Sequence, residues 1–330
     1  MKAVRLYAAG DLRVETVAAP GPPAPRTVTL RIMAAGICGS DLHNFRTGQW
    51  ITRSPSIPGH ELIGRVIAVG EGVDDFVIGD RVVADSRFWC GECPACMKGN
   101  CHLCSRLGFV GEVCDGGFAE EVNLPHRLIH ALPHTLSDVA AVMVEPVTVA
   151  LHAVNRLAVP RDCPVLIAGC GPIGGLAALV LSEHGHSDIR VADHNEERLK
   201  RVCDVTGAAA VTLDPSSAGA GISHAIEATG SPRALEQLLK AVEPGARISL
   251  VGIMHGRLDL DPNLLVEREI SLIGCHAFRD ELPSAIAFLE TCDDRARRLA
   301  DQEVPLDEVP EAYRRLIAGQ ATGLKTIVKP

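Results

Sequence analysis

Fifteen residues of the chain, CGECPACMKGNCHLC at 90–104, carry five cysteines. Four of them, Cys90, Cys93, Cys96 and Cys104, follow C-x2-C-x2-C-x7-C, a spacing that lets four thiolates close around one metal ion and leave no place for a substrate. A redox C-x-x-C needs only two sulfurs, so four in register point away from thiol–disulfide exchange. An iron–sulfur cluster takes the same four ligands, and counting sulfurs does not separate it from zinc. The fifth, Cys101, falls outside the spacing and is given no role.

A second constellation is dispersed. CGSDLH places Cys38 beside Ser40 and His43, which are three residues apart and share a face of a short helix starting at Ser40 or Asp41. PGHE supplies His60 and Glu61. MVEPVTVALH supplies Glu145 inside an apolar stretch, where a carboxylate needs a cation or a hydrogen-bond donor. Cysteine, histidine and carboxylate with one position open is the ligand set of a catalytic zinc. Neighbours on an extended strand face opposite sides, so His60 and Glu61 reach one ion only if the Pro58-Gly59 turn bends the chain. Glu61 and Glu145 therefore compete for the remaining place. Phe45, Trp50 and Phe88 suit a pocket wall and core packing equally well.

A third motif, Gly169-Cys170-Gly171-Pro172-Ile173-Gly174, fits G-x-G-x-x-G between a strand-like and a helix-like segment. Such glycines permit the tight turn, the approach of a pyrophosphate to the backbone and the packing of helix on strand. Asp193 follows about twenty residues on, where a carboxylate takes the ribose hydroxyls and repels a 2′-phosphate, which favours NAD; Arg198 nearby is the group that would favour NADP.

These residues need elements to hold them. Before residue 135, short β-branched runs such as TVTLRIMAAGI and LIGRVIAVGEGV, broken by Gly and Pro, predict a barrel-like, mostly antiparallel body. From about 160 the texture alternates. PVLIAG, DIRVAD, AAAVTL, HAIEATG and RISLVGI read as strands, and GGLAALVLSEHG, NEERLKRVCDVTG and PRALEQLLKAV as helices, the pattern of an α/β, doubly wound parallel sheet. ELPSAIAFLETC and EVPEAYRRLIAG read as helices, and KTIVK as a strand returning to the first domain. The expected division is 1–148 for a catalytic domain with a metal lobe at about 88–106, 149–280 for a dinucleotide-binding domain, and 281–330 for the return.

Composition narrows the partners. With 330 residues and 47% hydrophobic content the chain can build two cores. A net charge of −9 and 3% aromatic residues exclude a nucleic-acid binder, zinc fingers included. The uncharged run from Pro164 to Ser182 is about as long as a membrane span, but its glycines and prolines fit a buried strand, turn and helix, and no membrane anchor is expected. Twelve cysteines without an even framework, and an N-terminus with charges at Lys2, Arg5, Asp11 and Arg13, predict a cytoplasmic protein.

GHELIGRVIAVGEGVDDFVIGDRV resembles the signature of the zinc-dependent medium-chain alcohol dehydrogenases, and CGSDLH, the cysteine-rich loop, DGGFAEEV, EPVTVALHAV and the glycine fingerprint follow in that family's order. Glu145 in EPVTVALH is similar to the sorbitol and idonate type. The resemblance implies a GroES-like catalytic domain beside a Rossmann domain, and two zinc ions per chain. The structural zinc would be held by Cys90, Cys93, Cys96 and Cys104. The catalytic zinc would be held by Cys38, His60 and one glutamate, with Glu61 favoured as ligand and Glu145 as holder of the water beside the metal. It implies hydride transfer from a secondary alcohol, expected to be a polyol, to NAD⁺, with Ser40 and His43 relaying the hydroxyl proton. Relatives acting on L-threonine or an aminocyclitol are competitors, and assembly as a homo-oligomer, dimer or tetramer, is implied. A zinc- and NAD-binding sensor or structural protein without turnover is the alternative from another class; it would not need Ser40, His43 or the Cys38–His60 pair.

Overall fold

The structure, a computed structural model, describes residues 1–214, 221–254 and 256–330. They form two compact units. One comprises Met1–Glu145, Leu282–Ala321 and Lys325–Pro330; the other comprises Pro146–Glu281 and Thr322–Leu324.

In the first unit, the strand Thr27–Gly36 is the hub of a seven-stranded sheet. It pairs antiparallel with Glu61–Val69, Glu121–Pro125 and Lys325–Lys329. Arg81–Ala84 and Ile129–Ala131 continue the sheet beyond Glu61–Val69, and Ala300–Pro305 runs parallel to Lys325–Lys329. The pairing therefore brings three distant segments side by side, with Gly36 opposite both Glu61 and Ile327. Val28, Leu30, Val66, Val82, Phe118, Leu124, Tyr313 and Val328 fill the core on this sheet, each at most 1% exposed.

The second unit is a six-stranded parallel sheet in the spatial order Ala209–Ala210, Ile189–Ala192, Val165–Ala168, His224–Glu227, Arg247–Leu250, Ser271–Gly274. Numbered along the chain this is 3-2-1-4-5-6, the doubly wound Rossmann order. All four residues of Val165–Ala168 and of His224–Glu227 are buried, as central parallel strands covered on both faces must be. The expected strand AAAVTL is shorter than its β-branched residues suggest: only Ala209–Ala210 pairs, at the sheet edge.

Helix ends are locally encoded. Asn195 accepts from the Arg198 amide to start Glu196–Thr206, and Gly207, at φ 77°, stops it. Ser231 caps Pro232–Ala241, which buries Leu235, Leu238 and Leu239 on one face. Among the described residues no helix is long and apolar enough to cross a membrane.

Candidate active site

Cys38 is the N-cap of the helix Gly39–Thr47, so the helix begins at Gly39, one or two residues before the start expected at Ser40 or Asp41. Its backbone N–H donates to Asp41 Oδ2 at 2.9 Å, and Asp41 Oδ1 stands 3.5 Å from His60 Nδ1. Asp41 thus ties the cysteine and the histidine to one carboxylate, the arrangement by which a second layer of residues fixes a metal-ligating imidazole. Sequence reading missed Asp41; its place at the third position of a capped helix start was the available signal.

The chain turns at Pro58-Gly59, with Gly59 at φ 95°, before Glu61 opens its strand. That bend removes the opposite-face objection: ligand atoms of Cys38, His60 and Glu61 all lie within 4.8 Å of one another. The Glu61 side chain lies across Gly36, where a Cβ would come within 2.1 Å of Glu61 Oε2, so a side chain there would push the carboxylate aside. Glu61 Oε1 accepts from Lys325 Nζ at 2.6 Å, and that ammonium also donates to the Ile37 carbonyl at 3.2 Å. Glu61 Oε2 is buried without a hydrogen-bond donor among the described residues. An acceptor left in that state inside a protein calls for a cation or a donor.

Glu145 lies outside that group of three. It sits in the first turn of Val144–Leu157, and its Oε1 accepts from Ser86 Oγ at 2.6 Å. Burial pushes the Glu145 carboxyl up to about 7, with His60 lowering it and Glu61 raising it. For His60, burial opposes the charged ring, yet Asp41 and Cys38 raise it well above the usual range. The surroundings therefore favour a positive charge at this point, whether a proton or a metal ion carries it.

Ser40 and His43 both lie on the helix Gly39–Thr47. Ser40 is half-buried; His43 is buried, with Nε2 2.9 Å from Gln49 Oε1 and its ring 4.4 Å from that of Trp50. Phe45 packs edge-on to Tyr313 in the core. Phe88 packs beneath Arg127, whose guanidinium also covers Trp89 and donates to the Trp89 carbonyl at 2.9 Å. Of the three aromatic candidates, Trp50 alone lies against a candidate catalytic side chain.

In the lobe, Cys90, Cys93, Cys96 and Cys104 present sulfurs within 4.8 Å of one another. Cys90 and Cys104 Sγ are 3.5 Å apart. Four Zn–S bonds of about 2.3 Å in a tetrahedron require sulfurs about 3.8 Å apart, so the set fits zinc closely. Backbone N–H groups of Cys90 and Arg106 donate to Cys104 Sγ at 3.4 and 3.3 Å, and that of Cys93 donates to Cys90 Sγ at 3.4 Å. Amides from Cys96 and Ser105 hold the Cys93 thiol down at about 5, while burial pushes Cys96 up to about 12. Cys101 packs beside the cluster but is not one of its four ligating residues.

In the second unit, Gly171 caps the helix Pro172–Glu183, and nothing stands within 4 Å of where its Cβ would be, which leaves room for a pyrophosphate over the helix N-terminus. Ile173 lies in the first turn, and a Cβ on Gly174 would meet the Gly169 carbonyl at 1.9 Å. Asp193 accepts from the amides of Cys170 at 2.6 Å and Asn195 at 2.7 Å, which fix its carboxylate beside the glycine turn. Arg198 donates from Nε to the Gly323 carbonyl at 3.2 Å.

Known proteins match along the whole chain. The model of the alcohol dehydrogenase GroES-like domain matches residues 24–134, and that of the zinc-binding dehydrogenase matches 172–291. The sorbitol dehydrogenase of Bacillus subtilis (strain 168) is 29% identical over 344 residues, spanning 100% of this chain and 97% of its own. The L-threonine 3-dehydrogenase of Pyrococcus furiosus is 34% identical over 277 residues, 76% of each chain. An alcohol dehydrogenase from E. coli CFT073, solved with NADH, superposes with a TM-score of 0.91 at 28% identity, covering 100% of this chain and 99% of its own.

Proposed function

This chain belongs to the zinc-dependent medium-chain alcohol dehydrogenases, and on that premise we propose that Cys38, His60 and Glu61 hold its catalytic zinc, with Glu145 and Ser86 orienting the group in the open position. The protein is a zinc- and NAD-dependent oxidoreductase of secondary alcohols, of the polyol kind. The observation that carries the site assignment is the convergence of a thiol, an imidazole and a buried carboxylate oxygen that has no donor among the described residues.

When bound, the zinc supplies a Lewis acid that makes the substrate hydroxyl more acidic. Asp41 aligns His60 through Nδ1 and so leaves Nε2 for the metal. Ser40 Oγ takes the hydroxyl proton and His43 passes it on, with Gln49 and Trp50 fixing the ring. The turn Gly169–Gly174 and Asp193 bind the dinucleotide. Arg198, engaged with the Gly323 carbonyl, leaves Asp193 to meet the ribose, which favours NAD over NADP. Cys90, Cys93, Cys96 and Cys104 hold the structural zinc.

The working division is residues 1–148 with 281–330 for catalysis and 149–280 for the cofactor. The chain acts in the cytoplasm as a dimer or tetramer, consistent with its twelve cysteines, none of which is in a disulfide, and with the common habit of the family. A second reading, oxidation of L-threonine, is favoured by the 34% identity to a threonine dehydrogenase. Reduction of NAD⁺, followed by absorbance across polyols, amino alcohols and L-threonine, tests both; no reduction by any of them would return weight to a sensor without turnover.

A further inference from the structure

Glu227 belongs to none of the motifs, yet it ends the strand beside the glycine turn. The strands Val165–Ala168 and His224–Glu227 are neighbours, with Ala168 opposite Glu227, and they are the first and fourth in the order 3-2-1-4-5-6. Between them the winding of the sheet reverses, and a dinucleotide lies in the crevice beyond the carboxyl ends of strands at such a reversal. Asp193 follows the second strand, Ile189–Ala192, on the other side of Val165–Ala168. A dinucleotide with its adenosine ribose at Asp193 and its pyrophosphate at Gly171 therefore extends its nicotinamide half over the segment that follows Glu227.

That segment packs on the glycine turn. The Ala228 amide donates to the Ala168 carbonyl at 2.8 Å, and a Cβ on Gly169 would lie 3.0 Å from Thr229 Cγ2 and 3.1 Å from the Ala228 carbonyl. Glu227 itself is 0% exposed, and among the described residues the donors to its carboxylate all come from positions 229–231. Its Oε1 accepts from the Thr229 amide at 2.8 Å, from the Thr229 hydroxyl and from the Gly230 amide at 3.1 Å; its Oε2 also faces that last amide, at 3.4 Å. Both oxygens thus meet donors, and an NH₂ in place of Oε2 would oppose the Gly230 N–H. From the next strand, the amides of Val251 and Gly252 donate to the Glu227 carbonyl, each at 3.0 Å, and a Cβ on Gly252 would come within 2.6 Å of Glu227 Oε2. Burial raises the Glu227 carboxyl above its ordinary value, and the Thr229 hydroxyl and the loop amides work against that rise. A buried acid therefore grips the loop from the interior, while Thr229 stays exposed on the side open to a ligand.

We propose that Glu227 is a positioning residue for the cofactor: its carboxylate holds residues 228–230 in the conformation that receives the nicotinamide half of the dinucleotide. The proposal rests on the reading of Gly169–Gly174 and Asp193 as the dinucleotide site and extends it to the opposite side of the crevice. A loop ordered in advance spares the cofactor the entropy of ordering it on binding.

Calorimetric titration of the zinc-loaded full chain with NAD⁺ and with ADP separates the two halves, since ADP carries the adenosine ribose and the pyrophosphate but nothing beyond them. Glu227→Gln should weaken NAD⁺ by roughly 10- to 100-fold, the worth of hydrogen bonds to a buried charged group, and leave ADP within about threefold. Thr229→Val, at an exposed position, should weaken NAD⁺ by about fivefold, and Thr229→Ser, which keeps the hydroxyl, should retain the affinity that Thr229→Val loses. A general loss of structure would weaken ADP as much as NAD⁺. Equal falls for both ligands in Glu227→Gln, or NAD⁺ affinity unchanged in Glu227→Gln or Thr229→Val, overturn the role of Glu227 and leave the dinucleotide site standing. Should Glu227→Gln not fold, the two Thr229 variants decide. Binding of neither ligand by the wild type overturns both readings.

Discussion

Lys325 Nζ lies 2.6 Å from Glu61 Oε1, and each side chain is only 1% exposed. A buried pair of this kind is strongly destabilised when one member is removed, because the other is left without its counter-charge, at a cost of about 3–5 kcal/mol. In chelator-treated protein, where no metal compensates Glu61, Lys325→Met should lower the unfolding free energy from urea titration by that amount. Lys325→Met combined with Glu61→Leu removes both charges and should recover most of the loss. A single variant as stable as the wild type, or a double variant no more stable than the single, would show that the pair is not the source of the effect.

Cys38→Ala removes the only sulfur from the candidate catalytic set while leaving the lobe cysteines in place. Zinc content should fall from two to one per chain, turnover should drop below about a thousandth of the wild type, and the far-ultraviolet dichroism should stay unchanged. These follow from losing one of three protein ligands at a metal that supplies the main activation of the substrate. Full activity with two zincs retained would remove Cys38 from the site.

Cys96→Ser should have a different signature. The buried centre of the lobe is Cys93, Cys96 and Cys104, with Trp89, Ala95 and Leu107 only partly buried against it, so a metal held by these thiols would supply much of its folding energy. One zinc should again be lost, but the melting temperature should fall by about 5 °C or more, the shift that some 2 kcal/mol produces in a domain of this size. Cys101→Ser, outside the ligand set, should change neither quantity. An unchanged melting temperature in Cys96→Ser with both metals present would end the structural assignment.

In the second unit, His152 Nδ1 stands 2.7 Å from Glu281 Oε1, and Glu281 Oε2 accepts from the amides of Arg279 and Asp280 at 2.6 and 3.0 Å. Burial works to raise this carboxyl, but His152 and the amides prevail and hold it down at about 2. Because its folded value lies below the unfolded one, the stabilisation is present above pH 4.5 and is lost as the pH falls toward 2. Glu281→Gln should therefore be less stable than the wild type by on the order of 2 kcal/mol at pH 6, and the gap should narrow steadily below pH 4.5. A gap that stays constant from pH 6 to pH 3 would rule out the ionised Glu281 carboxylate as its source.

What the sequence made legible was local. The C-x2-C-x2-C-x7-C spacing, the glycine fingerprint with Asp193, and the alternation of strand and helix after residue 160 are each written within a few dozen residues, and the parallel sheet follows in the expected chain order. Cys38, His60 and Glu61 could be named as candidates, but whether His60 and Glu61 could face one ion depended on the φ of Gly59, which residue types do not specify. Lys325 was out of reach because its partner is 264 residues away, joined through strand pairing that places Gly36 opposite both Glu61 and Ile327. Ser86, which donates to Glu145 across 59 positions, was missed for a similar reason: contacts between segments far apart in the chain leave no periodic trace in it. The strand at Ala209–Ala210 was overestimated because β-branched residues at a sheet edge favour extended backbone without requiring a partner.

The same long-range pairing orders events during synthesis. Glu61 leaves the ribosome 264 residues before the lysine that neutralises it, an interval of roughly 10 to 50 s at ordinary elongation rates. Until then the catalytic unit lacks both the cation that pairs with Glu61 in the complete fold and the strand that flanks Thr27–Gly36. Any product that ends before Lys325 lacks the ion pair that balances the buried Glu61 carboxylate in the complete fold.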